Sequence, residues 1–290
     1  MARFTTGTNP RHFHRSQIKF YVILTPISLF MILPIIFIIS HALKPLDELF
    51  LYPPRFFVRK PSLDNFIELF AATKSSAIPL SRYLLNSIVS TALVIFFTIW
   101  VSVFAGYVLS KKDFNGKNLI FSLNNLALMF VPTAVTIPRY LIIDKVGLID
   151  NMLVNVLPIV AMPVGVFLVK QFIDQIPNAM IDAAWIDGAN DFQIVKNVII
   201  PMVKPALSTV GILAFQMAWN STEASTLYLN NDNLKTFAFY MTTLTSSTGN
   251  TVAGQGMAAA ASLILFIPNL VLFIIMQSRV MNTMAYSGIK

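Results

Sequence analysis

Apolar runs and short polar stretches alternate along the whole chain. Six runs approach the ~20 residues that a membrane-crossing helix needs. They extend from Phe20 to about Leu43, from Leu84 to Ser110, and from Leu119 to about Ile143 with an interruption at Arg139. The others extend from about Met152 to Val169, from about Ala206 to Asn220, and from Met257 to Met276. The fifth is the shortest. The pattern predicts an all-α, polytopic membrane protein with six transmembrane helices. The first run is longer than the ~7–15-residue core of a cleaved signal peptide, and no small-x-small cleavage site follows it. It is therefore expected to stay as an anchor.

Basic residues set the expected orientation. Residues 1–19 form a basic tail with Arg3, Arg11, Arg15 and Lys19 and no acid, which places the N-terminus in the cytoplasm. Six spans return the C-terminus to the same side. Lys111, Lys112 and Lys117 in the second inner loop agree. The first outer loop runs against the rule, with Lys44, Arg55, Arg59, Lys60, Lys74 and Arg82.

Composition narrows the function classes. Of 290 residues, 56% are hydrophobic and 12% charged, against roughly 45–50% and 25% in soluble domains. That balance excludes a soluble enzyme, a disordered chain and a collagen-like repeat. There is no cysteine, hence no disulfide, thiolate metal site or cysteine nucleophile. A net charge of +8 would suggest nucleic acid for a soluble protein. Here it reads as topology signal and contact with anionic membrane lipid, with no nucleic-acid partner expected.

The six apolar cores hold no Asp, Glu, Lys or Arg; His41 and Arg139 lie near their ends. Proton-driven carriers need such groups, so a proton-driven carrier is disfavoured, although sodium coupling through carbonyls and hydroxyls stays open. Prolines at 26, 34, 132, 138, 158, 163 and 268, with Asn124, Asn125, Thr133 and Thr136, suit either packed, kinked helices or the walls of a path. His12, His14 and His41 fit no metal pattern, and no paired carboxylates or nucleophile–base set appears. Neither a catalytic nor a metal site is expected. Without a phosphate-binding Gly-Lys-Ser/Thr loop, ATP would have to bind another chain.

One polar segment stands apart, from about Lys170 to Pro205. Pro177 suits a helix start, and Asp182 near that start would complement the helix dipole. Ile181, Ala184, Trp185 and Gly188 fall on one apolar helical face. Gly188 can end this helix in the left-handed conformation. Asn190 with Gln193 three residues on fits a capping box opening a second short helix, which Pro201 is expected to break. The segment thus reads as helix, turn, helix at the membrane surface.

The order Asp182-Ala183-Ala184, three residues, Gly188, nine residues, Val198-x-Ile200-Pro201 resembles the loop motif of permease subunits of ATP-binding-cassette importers, Glu-Ala-Ala, three residues, Gly, nine residues, Ile-x-Leu-Pro. Ala183, Ala184, Gly188 and Pro201 match; Asp182, Val198 and Ile200 depart while keeping charge or apolar character. The chain looks most like the shorter, six-span permease of the carbohydrate, maltose-type group. Weaker support comes from YPPRFFVRKPSLDNF, VPTAVTIPRY, Trp219-Asn220, IPNLVLFIIMQ and the ending AYSGIK.

The resemblance implies a bacterial plasma-membrane permease domain over 20–290, with a cytoplasmic coupling loop at about 175–201 and a last extracellular loop at about 221–256. It implies that Ile181, Asp182, Ala183, Ala184, Trp185, Gly188 and Pro201 couple the chain to a separate ATPase, with Trp185 and Ile181 buried against that partner or the permease core. Two ATPase subunits binding ATP and Mg, a second permease, an extracellular solute-binding protein and a carbohydrate substrate complete the expected system; this chain itself binds no cofactor. Asn124, Thr133, Trp219 and Asn220 are candidates for the solute path, and Phe237 and Tyr240 for contact with the binding protein. A permease for a non-sugar solute and a stand-alone secondary carrier are the alternatives.

Overall fold

The computed structural model describes residues 17–74, 78–248 and 251–287. Most of the basic tail, with Arg3, Arg11, His12, His14 and Arg15, lies outside the described residues, as do the last three residues of AYSGIK.

The described residues are helical, with no strand among them. In chain order the helices are α1 (Ile18–Ala42), α2 (Leu46–Leu49), α3 (Asp64–Lys74), α4 (Leu80–Lys111), α5 (Lys117–Ala127), α6 (Pro132–Lys145), α7 (Leu157–Val160) and α8 (Pro163–Asp174). There follow α9 (Asn178–Ile186), α10 (Asp191–Ile194), α11 (Ile200–Met202), α12 (Lys204–Trp219), α13 (Glu223–Leu227), α14 (Phe237–Thr248) and α15 (Val252–Ser287).

Three helical stretches are each long and apolar enough to cross a membrane alone: Ile18–Ala42, Leu80–Lys111 and Gly254–Met276. Three bent pairs pass the same test together. The third apolar run is one of them, and it departs from expectation. Its break falls at Leu128–Val131 rather than at Arg139, and the chain bends by 116° between its two arms, α5 and α6. Proline is the cause: Pro132 opens α6, and the residue before a proline is pushed to the extended region, as Val131 is. Pro163 does the same to Met162, so the fourth run bends by 42° and continues to Asp174 rather than stopping at Val169.

α4 is the central helix, packed chiefly on α8 and α12. Val94, Val103, Val169, Ile173, Val210 and Ala214 are buried between them. A second cluster joins α15 to α1, α3 and α14 through Ala42, Leu69, Phe237, Met241, Ala260 and Ala261. α1 presents apolar side chains on all sides and leaves most of them exposed, as a helix bathed in hydrocarbon would.

Both long connections expected to be loops are folded. Between α1 and α4, the Asn65 amide donates to the carbonyls of Ala42 (3.0 Å) and Lys44 (2.7 Å) at the end of α1. The Lys44 ammonium donates to the Arg55 carbonyl. Glu48 accepts from the backbone N–H groups of Arg59 (3.0 Å) and Lys60 (2.7 Å). Gly256 on α15 passes so close that a Cβ there would stand 2.2 Å from Asn65 Oδ1. The segment at 221–256 holds α13, a 3-10 turn at Asp232–Leu234, α14 and the start of α15. A third cluster, Ile143, Val154, Ala224, Tyr228 and Leu229, seats it. The Asp150 carboxylate accepts from the N–H groups of Asn230 (2.5 Å) and Asn231 (2.8 Å) beside that cluster.

Candidate coupling element

Two short helices, α9 and α10, project where α4 ends. Each boundary between them is fixed by local chemistry. α9 starts after Pro177, which sits at the cap position in extended conformation. Asp182 is therefore its fifth residue, past the first turn, and does not complement the helix start as its sequence position suggested. Gly188 stops α9 with φ +83°. The Gly188 N–H donates to the Trp185 carbonyl (3.0 Å) and the Ala189 N–H to the Ala184 carbonyl (3.0 Å), the hydrogen-bond pair of a left-handed helix stop. Two residues on, Asn190 Oδ1 accepts from the Gln193 N–H (2.9 Å) and Gln193 Oε1 from the Asn190 N–H (2.8 Å). The capping box read from the sequence is present.

Pro201 does not end the second helix. The chain widens into a π turn over Val195–Ile199, in which the Ile200 N–H reaches back to the Val195 carbonyl. That wider turn accommodates a residue with no N–H to donate. The helix runs on to Met202, and the chain turns by 86° only at Val203 before α12.

The element is anchored by an apolar underside. Ile181, Ile194, Val195 and Ile199 are buried in the main core, and Ala184 and Ala189 pack against it. Asp182, Ala183 and Gly188 are exposed. Trp185, expected to bury against a partner or the core, lies half exposed at 49%, beside Ile186 at 86% and Phe192 at 59%. The inner face thus comprises Ile181 and Ala184, and the outer face is an apolar patch.

The end of α4 holds this element by polar contacts. Lys112 Nζ lies 2.7 Å from Asp191 Oδ1 and 4.5 Å above the Trp185 ring. Tyr107 Oη donates to the same Asp191 oxygen at 2.8 Å. Lys111 Nζ donates to the Ile176 carbonyl (2.6 Å) and to Asn178 Oδ1 (2.9 Å), and Ser110 Oγ to Asp174 (2.6 Å). The hydrogen bond from Lys112 holds the Asp191 carboxyl below the usual carboxylate range; burial opposes this and the Tyr107 hydroxyl adds to it. With side-chain exposures of 34% and 50%, such an ion pair contributes only ~0–1 kcal/mol to stability. These α4 residues escaped the sequence reading. Lys111 and Lys112 counted there only as topology signals, and nothing in the spacing links them to Asp191.

The residues proposed for a solute path are not brought together at one place. Asn124 donates from Nδ2 to the Pro163 carbonyl (3.2 Å), and Thr133 is exposed on α6. Trp219 is buried, its indole N–H on the Leu265 carbonyl (2.9 Å), while Asn220 closes α12, exposed and 3.4 Å from Asn269 Nδ2. Phe237 is fully buried in the second cluster. Tyr240 is half buried, its ring stacked 5.1 Å from Tyr83. Phe237 thus offers no surface to a partner here.

Known proteins resemble this chain over most of its length. The sulfoquinovosyl glycerol transport system permease protein SmoH of Agrobacterium fabrum is 28% identical over 259 residues, 89% of this chain and 88% of that protein. The arabinooligosaccharides transport system permease protein AraQ of Bacillus subtilis is 27% identical, covering 91% of this chain and 92% of its own. Among solved structures, a chain of a bacterial ABC transporter involved in the import of the acidic polysaccharide alginate superposes with TM-score 0.74 at 21% identity, over 93% of this chain and 99% of that one, and so shares the fold. The family model of binding-protein-dependent transport system inner membrane components matches residues 13–278, and the chain belongs to that family.

Proposed function

We propose that the chain is the permease subunit of an ATP-driven importer and moves a sugar or oligosaccharide across the bacterial plasma membrane by alternating access. The observation that carries this is the coupling element: two capped helices, anchored beneath and carrying an apolar outer patch of Trp185, Ile186 and Phe192. Such a patch on a membrane protein's polar end suits a protein partner. In this reading α9 and α10 face the cytoplasm and dock on one of two ATPase subunits, which bind ATP and Mg. Ala183 and Gly188 allow close approach, Trp185 makes contact, and Ile181, Ala184 and Pro201 fix the element to the permease body.

The same reading takes α5 with α6 as one span, the bent fourth run through α8 as another and α12 as the fifth, giving six with α1, α4 and α15 and with both termini in the cytoplasm. A second permease completes the membrane part, and an extracellular binding protein delivers solute. Sugar is favoured because the relatives and the structural neighbour are named for carbohydrates. Asn124, Thr133, Trp219, Asn220 and Tyr240 remain the candidates for the path or its mouth. Extraction from the native membrane in mild detergent, with mass spectrometry of every co-purifying chain, tests this. Recovery of an ATPase and a second six-span protein is expected. Recovery of this chain alone, under conditions that keep other membrane complexes whole, would overturn it in favour of a self-sufficient carrier.

A further inference from the structure

α4 is fastened at both ends. Near its C-terminus, Tyr107 and Lys112 hold Asp191 of the coupling element. Near its N-terminus, Asn86 Nδ2 donates to the carbonyls of Asn233 (2.8 Å) and Lys235 (2.9 Å). Beside it, Ser87 Oγ accepts from the Phe237 N–H (2.8 Å). Asn86 and Ser87 are both buried. Asn86 and Tyr107 stand about 32 Å apart along the helix axis at 1.5 Å per residue, close to the ~30 Å of a bilayer's hydrocarbon core. No proline or glycine lies between them except Gly106, and the helix is unbroken from Leu80 to Lys111.

We infer that α4 is a lever across the membrane, with Tyr107, Lys112 and Asp191 as its near fastening and Asn86 and Ser87 as its far one. The inference rests on the proposed function. Movement of the coupling element then shifts the Asn233–Phe237 segment at the other end, and displacement there returns to the ATPase. Three features separate this from ordinary packing. The near contacts are polar: the Lys112–Asp191 pair is partly exposed, and the buried Tyr107 puts its hydroxyl on the same carboxylate oxygen. The far contacts grip backbone groups of a segment that leads directly into α14, so they report position rather than bury area. Both sets sit on one unbroken helix, α4, or on Lys112, the residue that caps it. Tyr107, Lys112, Asn86 and Ser87 are positioning residues in this scheme, and none touches solute.

The test uses the complex purified from its native host and placed in lipid nanodiscs. ATP hydrolysis is measured with and without the co-purifying binding protein. Lys112→Met cuts the near fastening, and Asn86→Leu cuts the far one. Each variant is expected to assemble and keep its basal hydrolysis while stimulation by the binding protein falls about tenfold. Because the fastenings act in series, Lys112→Met combined with Asn86→Leu should lose no more than either alone, whereas independent sites give losses that multiply. Exchange of the charges, Lys112→Asp with Asp191→Lys, should recover part of the stimulation. Full stimulation in the single variants, or losses that multiply in the double, would overturn the lever while leaving the function intact. A wild-type complex that lacks an ATPase would overturn the proposed function and the lever with it.

Discussion

Gly188 shows how a single residue shapes this molecule. Its φ of +83° is a conformation that a side chain resists, yet a Cβ there would meet nothing within 4 Å. The demand is on the backbone, where the left-handed region costs a non-glycine roughly 1–2 kcal/mol and asparagine least. Gly188→Val should therefore abolish uptake while the protein still inserts in the membrane, and Gly188→Asn should retain most of it. Transport assays in cells expressing each variant at matched levels check this; equal uptake by both would show that the backbone at 188 does not matter. At this scale the sequence was legible where a residue's chemistry is local. The stop at Gly188 and the cap at Asn190 need only their neighbours. It was not legible where the partner is distant: Asp191 meets Tyr107 and Lys112 across 79 or more positions of chain, and no periodicity records that. For Trp185 the sequence left open whether an apolar face points at a core or at a partner, and its half exposure leaves the partner side free.

At the scale of elements, the connection between α1 and α4 is a folded strap, and two predictions belong to it. Gly256→Ala puts a methyl 2.2 Å from Asn65 Oδ1 and 2.9 Å from Leu49 Cδ1, with the Asn65 amide already committed to the end of α1. Overpacking of this kind costs about 1–3 kcal/mol, so the thermal midpoint of the purified protein should fall; an unchanged midpoint would mean that the strap yields freely. The second concerns acid. The Arg59 N–H holds the Glu48 carboxyl below the usual carboxylate range; burial opposes this, and the Lys60 N–H and the nearby Lys44 and Arg55 charges add to it. A carboxyl with a depressed folded pKa supports the strap above its unfolded value of about 4.3, and that support drains away as pH falls through the folded pKa. Hydrogen exchange at Arg59 and Lys60 should be slow near neutrality and accelerate on acidification below that range. Glu48→Gln should make it fast throughout; a pH-independent rate in the wild type would contradict the assignment. Helix content and the order of the long apolar runs were readable from hydropathy alone. The bends were not, because prolines at 132 and 163 announce a break but not its angle.

Across the whole molecule, residues far apart in sequence lock the third run to the segment after α12. Arg139 Nη1 meets Glu223 at 2.8 Å, and the Tyr228 hydroxyl donates to the same carboxylate at 3.2 Å. The two side chains keep exposures of 30% and 38%. Arg139→Met should therefore cost less than the ~3–5 kcal/mol of breaking a fully buried pair, and Arg139→Glu paired with Glu223→Arg should regain most of the loss. Thermal unfolding of the purified variants measures both, and a double variant no better than Arg139→Glu alone would deny the pairing. Arg139 read from the sequence as an interruption in a span; its partner was hidden because Glu223 stands in a stretch that looked like solvated loop.

The pairing of α1 with α15 has a consequence for how the protein is made. Among the described residues, the helix nearest the N-terminus packs chiefly on the one nearest the C-terminus. Some 210 residues separate Ala42 from Val252, which at roughly 5–20 residues per second is about 10–40 s of synthesis. Through that interval α1 lacks its chief packing partner, α15. A nascent chain interrupted before α15 emerges would leave it an orphan, open to the proteases that survey the bilayer.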